Sequence, residues 1–257
     1  MIATDFHVHV SYTSAMVMVE AARDRGLRAL GLAEHVYQLW EGRSGLEHLT
    51  VEGPFMGMAD YIAAVRTAAE QVGFDVRLGL EVDFIPDKNQ TIQDVIKDQP
   101  WDFLIGSVHE IDGVEFESSF DASPAEGQML WLHYFALQRA AIASGYFQVI
   151  SHPVRMGRRN PYLPATFDDE LEHLAAEAAR YDVALEVDGK DILSYPSLVR
   201  RLIRACALQH TPVSIGSDAH YPQHIAWAHA QTEQLLHEAG ISAVRIWRRC
   251  VNEEYTL

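Results

Sequence analysis

Two histidines stand one residue apart near the start of the chain, in Asp5-Phe6-His7-Val8-His9. Residues 2–10 read as a strand, being β-branched and aromatic with no helical period. Residues two apart on a strand project from one face, so His7 and His9 point together, with Asp5 expected on the same face. Two imidazoles backed by a carboxylate make half of a metal site. Such a pair is commonplace on its own, and its meaning depends on partners.

Partners recur in phase along the chain. His35 follows a second strand, Glu81 lies on a third, His109 ends a fourth and His152 a fifth, while Asp218 and His220 end a seventh. Polar side chains at the C-terminal ends of successive parallel strands converge on one mouth of a barrel. Eight nitrogen and oxygen donors exceed the needs of one ion. They suit two or three borderline cations, with a carboxylate bridging a pair. The other histidines are an internal control. His133, His173, His229 and His237 fall in predicted helices, and His48, His210 and His224 in loops or at helix starts. These are read as solvated or packed, with His48 alone placed on a loop able to reach the site.

The elements that must position these donors alternate. Strands are predicted over residues 2–10, 28–33, 76–85, 102–110, 147–152, 183–188 and 212–217. Helices are predicted over 15–25, 58–72, 91–97, 124–144, 167–181, 196–209 and 225–239, the first stopped by Gly26. Residues 37–55 carry Gly42, Gly45, Gly53 and Pro54 and read as a long irregular loop, a candidate substrate lid. Strand–helix alternation over one chain of 257 residues, without a linker or repeat, implies a single α/β domain spanning 1–257. The sheet is either closed or open and doubly wound; the histidines favour a closed barrel.

Composition limits the function classes. The chain is 48% hydrophobic and 22% charged, as in ordinary globular proteins. Its formal charge of −16 opposes binding to a nucleic-acid backbone. No apolar run reaches the ~20 residues of a membrane span, and the start lacks a signal-peptide pattern, so a cytoplasmic location is expected. Cys206 and Cys250 lack metal-ligand spacing and are expected to be reduced thiols. Oligomeric state cannot be read from the sequence.

The motifs together resemble the PHP (polymerase and histidinol phosphatase) family of metal-dependent phosphoesterases. The resemblance is carried by Asp5-Phe-His-Val-His9, Glu34-His35, Gly79-Leu-Glu-Val-Asp83, Gly106-Ser-Val-His109, Ser151-His-Pro153 and Gly216-Ser-Asp-Ala-His220. Within that family, residues 79–84 and 102–113 are most similar to histidinol-phosphate phosphatases. The resemblance implies a distorted, TIM-like (β/α)7 barrel. It implies that His7, His9, Glu81 and Asp218 hold a first metal, with Glu81 bridging to a second on His109 and His152. His35 and His220 would take a third. Two departures stand out. A further His or Asp usually follows His-x-His by five or six residues, where this chain has Ser14 and Ala15. The family's Glu-x-Asn on the sixth strand is Glu186-x-Asp188 here.

The implied activity is hydrolysis of a small phosphomonoester by a metal-bridging hydroxide, with no protein nucleophile beyond the metal ligands. Two or three Zn, Mn or Fe ions are the expected cofactors, and L-histidinol phosphate is the leading substrate. Arg155, Arg158 and Arg159 follow the fifth strand and, with Asp188, are the expected substrate-binding residues. Asp5, Glu34, Asp83, Ser107, Ser151 and Ser217 are candidates to orient the ligands. A nucleotide or short oligonucleotide is the alternative substrate. An amidohydrolase is a more distant alternative, since none of the three lysines follows a strand suited to that family's bridging role.

Overall fold

Seven apolar segments pair in chain order. They are β1 (Thr4–Val8), β2 (Ala29–His35), β3 (Asp75–Asp83), β4 (Phe103–Ser107), β5 (Val149–Ile150), β6 (Ala184–Asp188) and β7 (Val213–Gly216), all parallel. The computed structural model describes residues 2–257 apart from Ser44, Gly45, Glu47, His48, Thr50, Glu52 and residues 116–121. His48, read above as a loop residue within reach of the site, lies outside the described residues. Beyond β7, Ala219 bridges Val8 in parallel, and His9 N donates to Ala219 O at 2.9 Å. That contact curls the sheet into a nearly closed barrel.

Helices cover the outside: α1 (Ala15–Asp24), α2 (Met58–Val72), α3 (Asn89–Ile96), α4 (Pro124–Ala143), α5 (Phe167–Tyr181), α6 (Gly189–Ser194), α7 (Pro196–Gln209) and α8 (His229–Glu238). Their ends follow from local chemistry. Ser14 caps α1 by accepting from Val17 N, and Ser123 with Glu126 forms a capping box on α4. Among the described residues no helix is long and apolar enough to cross a membrane. Cys206 and Cys250 are unpaired.

Three expectations need correction. The fourth strand stops at Ser107, and Glu110–Ile111 instead pairs antiparallel with Val114–Glu115. Asp112 and Gly113, both at positive φ, make the turn, and Asp-Gly is a favoured pair for such tight hairpins. The last predicted helix starts at His229 rather than 225, after a 3-10 turn at Pro222–His224.

The third correction concerns β1. Asp5 pairs with Leu30 and Val8 with Leu32, so β1 takes three steps where β2 takes two. This bulge turns both Phe6 and His7 inward and leaves Asp5 outside. Asp5 therefore does not share the face of His7 and His9. It accepts from Ser217 N at 2.9 Å, Ser217 Oγ at 2.6 Å and Ala226 N at 2.9 Å, tying β1 to the chain beyond β7.

Inside the barrel, Phe6 packs on Phe103 with ring centres 5.2 Å apart. Gly79 makes room for Phe103, whose ring a Cβ there would meet at 2.4 Å. A C-terminal hairpin, β8 (Ala243–Arg248) with β9 (Val251–Thr256), plugs this end of the barrel. Its Trp247 is fully buried, stacked on Phe103 at 5.8 Å and edge-on to Phe6 at 6.0 Å. Arg77 Nη1 donates to Trp247 O at 2.6 Å. Trp247→Ala is expected to destabilise the fold by roughly 3–5 kcal/mol through the cavity it leaves, read as a lower denaturant midpoint. Metal content of the folded variant should be unchanged, because the donors occupy the opposite mouth.

Candidate metal centre

The mouth at the C-terminal ends of the strands gathers all eight sequence-predicted donors. Glu81, wholly buried on β3, is the centre of the arrangement. Its Oε2 lies 3.3 Å from His7 Nε2 and 3.7 Å from His9 Nε2. Its Oε1 lies 3.2 Å from His152 Nε2 and 3.4 Å from His109 Nε2. Asp218 Oδ1 faces His9 Nε2 at 3.2 Å. Two donors each ~2.1 Å from one ion at a tetrahedral angle stand about 3.4 Å apart, so these spacings fit ligands converging on shared ions. Within the described residues, His7 Nε2, His9 Nε2, Glu81 Oε2 and Asp218 Oδ1 are buried without a hydrogen-bond partner. Buried polar atoms are rarely left so, and a cation would satisfy them.

A third group lies beside these. His35 Nε2 and His220 Nε2 are 3.4 Å apart, and the His9 ring stacks on His35 at 4.0 Å. His35 Nδ1 also approaches Glu81 Oε2 at 2.6 Å. Ser14 and Ala15 add nothing to it, since Ser14 caps α1 and Ala15 is a buried helix residue.

Carboxylates behind three of the imidazoles fix their orientation. His7 Nδ1 pairs with Glu186 Oε1 at 2.8 Å, His109 Nδ1 with Asp83 Oδ1 at 2.7 Å, and His9 Nδ1 faces Glu34 Oε1 at 3.5 Å. Glu34 also accepts from the Val10, Ser11 and His35 amides. Ser107 Oγ donates to Glu81 Oε1 at 2.6 Å and contacts Ser151 Oγ at 2.5 Å. Ser217 touches Asp5 rather than an imidazole. The close packing of Glu186 on His7 needs Gly216, where a Cβ would lie 2.1 Å from Glu186 Oε1 and 2.4 Å from His7 Cβ.

Two donor residues have left-handed backbones, His152 at φ 31° and Asp218 at φ 50°. His152 is held there by its N–H to Glu186 Oε2 at 2.7 Å and by Tyr134 Oη donating to its carbonyl at 3.0 Å. Strain of this kind clusters at functional sites.

Electrostatics follows from burial and pairing. Burial opposes the charge on His7, yet Glu186 and Glu81 outweigh it and hold the imidazole well above its ordinary range. His109 is raised in the same way by Asp83 and Glu81, against burial. Against the cost of burial, the surrounding imidazoles keep Glu81 well below the carboxylate range. Burial and the nearby Arg155 guanidinium push His152 down to about 4.

The donors open into a cleft of about 400 Å³ lined also by Tyr12, Tyr37, Glu110, Glu115, Arg155, Arg158 and Lys190. Arg155 is buried and bound by Asp191 Oδ1 at 2.5 Å, Asp188 Oδ1 at 2.9 Å and Asp218 Oδ2 at 3.0 Å. Asp188 sits behind Arg155 and does not line the cleft, and neither does Arg159, which is exposed. Lys190, set aside in the sequence with the other two lysines, lies two residues beyond β6 with Nζ 2.8 Å from Asp218 Oδ2. Its place after a strand end was the available signal. It is in the helix that follows the sixth strand, not on the fourth strand, where an amidohydrolase places its lysine. Glu110 stood at the end of the predicted fourth strand and Glu115 five residues beyond it, and neither carried a ligand motif to mark it. His133, His173, His210, His224, His229 and His237 belong to none of the donor groups.

Residues 4–189 match the family described as the PHP domain. The chain belongs to that family. A probable histidinol-phosphatase of Deinococcus radiodurans is 30% identical to this PHP protein over 236 residues, covering 86% of this chain and 85% of the relative. A histidinol phosphate phosphatase from Lactococcus lactis, solved with zinc, L-histidinol and phosphate, has the same fold. Its TM-score is 0.80 at 17% identity, covering 98% of each chain. An archaeal ribonuclease P solved with mature tRNA contains a chain of related fold, with a TM-score of 0.56 at 14% identity, covering 91% of this chain and 81% of that one. The protein is a phosphatase-type hydrolase of the PHP phosphoesterase group.

Protons and metal ions compete for the same nitrogens. Because His7, His9 and His109 are raised above 6.5, affinity for Zn²⁺ or Mn²⁺ should fall as pH drops from about 8 to about 5.5. Calorimetry in buffers of different ionisation enthalpy should register proton release on binding. Glu81→Gln should lose metal from both donor groups it faces. Asp83→Asn, whose side-chain partner among the described residues is His109, should weaken metal binding at one group by about 10–100-fold; equal losses in the two variants would contradict this division of the donors.

Proposed function

We propose that this protein is a phosphomonoesterase with two divalent ions at Glu81, Zn, Mn or Fe, acting on L-histidinol phosphate. The observation that carries the reading is the division of Glu81: one carboxylate oxygen faces His7 and His9, the other His109 and His152. A carboxylate so placed suits a bridge between two cations. His7, His9, Glu81 and Asp218 would hold one, and Glu81, His109 and His152 the other. Bound there, divalent ions supply a strongly acidified water and draw charge from phosphate oxygens.

The chain's own residues bind and orient the ester. Arg158 and Lys190 line the cleft beside the donors and offer charge-assisted hydrogen bonds to phosphate oxygens. Arg155, fixed and charge-balanced by three carboxylates, holds Asp218 in place rather than acting as a mobile clamp. Asp83, Glu110 and Glu115 form an acidic stretch of the same lining. A substrate with phosphate at one end and a cationic amine at the other complements both. The Deinococcus relative supports histidinol phosphate as that substrate.

With Zn²⁺ or Mn²⁺ loaded, the protein should release phosphate from histidinol phosphate with a higher kcat/KM than from an aryl phosphate. Absence of phosphate release from either, with metal demonstrably bound, would refute the activity. Arg158→Ala should raise KM roughly tenfold with little change in kcat, the loss of one charge-assisted hydrogen bond to bound ester.

A further inference from the structure

The third donor group is unlike the other two. His35 and His220 turn Nε2 towards each other, but the chain adds no carboxylate to that pair from the Ser14 or Ala15 position. His9 cannot complete it while serving the first ion. An imidazole has one lone pair to give per unprotonated nitrogen. His9 Nε2 faces Asp218 and Glu81, while Nδ1 faces Glu34. Among the described residues two protein donors remain, where catalytic zinc sites use three.

A cation of the chain's own stands beside this incomplete group. Lys190 Nζ lies 3.4 Å from His220 Nδ1 and 2.8 Å from Asp218 Oδ2, and its side chain is 30% exposed in the cleft. Its position is built in. Asp188, the last residue of β6, caps α6 by accepting from Asp191 N at 2.9 Å, and Lys190 is the second residue of that helix. Gly189 before it packs on Trp227, whose carbonyl oxygen would lie 2.5 Å from a Cβ. An ammonium this close repels a further divalent ion, yet presents three N–H donors to a phosphate oxygen.

We infer that Lys190 ammonium, rather than a third metal ion, supplies the third positive charge on the substrate phosphate. The inference rests on the cleft being a phosphomonoesterase site. It makes the protein a two-ion member of its family with a lysine in the remaining place, and makes Lys190 a residue that touches substrate.

The test is metal content together with calorimetric binding of inorganic phosphate, for wild type, Lys190→Met and Lys190→Arg. Arg155 holds the same Asp218 oxygen at 3.0 Å, so the first ion should survive loss of the lysine. Expected are two equivalents of metal in all three proteins, phosphate binding weakened about tenfold or more in K190M, and substantial recovery in K190R. Three tightly held equivalents in wild type would overturn the inference, as would unchanged phosphate affinity or loss of metal in K190M. Neither readout needs turnover. A wild type inert towards histidinol phosphate, yet showing the expected metal and phosphate behaviour, would defeat the proposed substrate and support Lys190.

Discussion

Glu81 is a carboxylate with no access to water, at the mouth of a barrel whose interior is otherwise aromatic and aliphatic. An uncompensated charge there would cost several kcal/mol. Compensation comes from His7, His9, His35, His109 and His152, brought from four other strand ends, and from Ser107 beneath. Much of the remaining structure at this end serves to hold those imidazoles. Asp83, Glu186 and Glu34 stand behind three of them, and the backbones of His152 and Asp218 are left-handed, that of His152 held by Glu186 and Tyr134. Each such backbone costs on the order of 1–3 kcal/mol. The opposite end contributes aromatic packing, with Trp247 closing the barrel on Phe6 and Phe103.

Much of this was legible in the sequence because strand period and ligand chemistry coincide. Donors that end parallel strands must meet, so eight residues scattered from His7 to His220 could be grouped without coordinates. Helices 58–72, 167–181 and 196–209 have their predicted bounds because Gly or Pro, or a clear amphipathic stripe, marks them. What failed lacked such marks. A one-residue bulge at Phe6–His7 reversed the side of Asp5, and strand period alone cannot announce a bulge. The C-terminal hairpin turns on Arg249 and Cys250, both at positive φ without glycine or asparagine, so no turn signal was present. Asp112-Gly113 did carry the signal, and a continuous apolar reading of the fourth strand overrode it.

The charged residues around the donors show a similar division. Arg155 was expected at the substrate, and the structure places it in the cleft lining but committed to Asp188, Asp191 and Asp218. Asp188, expected at the substrate, is paired with Arg155 one layer behind the cleft. Lys190, ion-paired to Asp218 and part-exposed in the cleft, stands beside the His35–His220 group, to which Ser14 and Ala15 add no donor.

Anomalous diffraction from crystals grown with Mn²⁺ or Zn²⁺ reports on the Glu81 centre itself. Two strong peaks are expected flanking the Glu81 carboxylate, roughly 3.5–4 Å apart, one against His7, His9 and Asp218 and the other against His109 and His152. A single peak, or peaks that leave Glu81 without a metal contact, would contradict that arrangement.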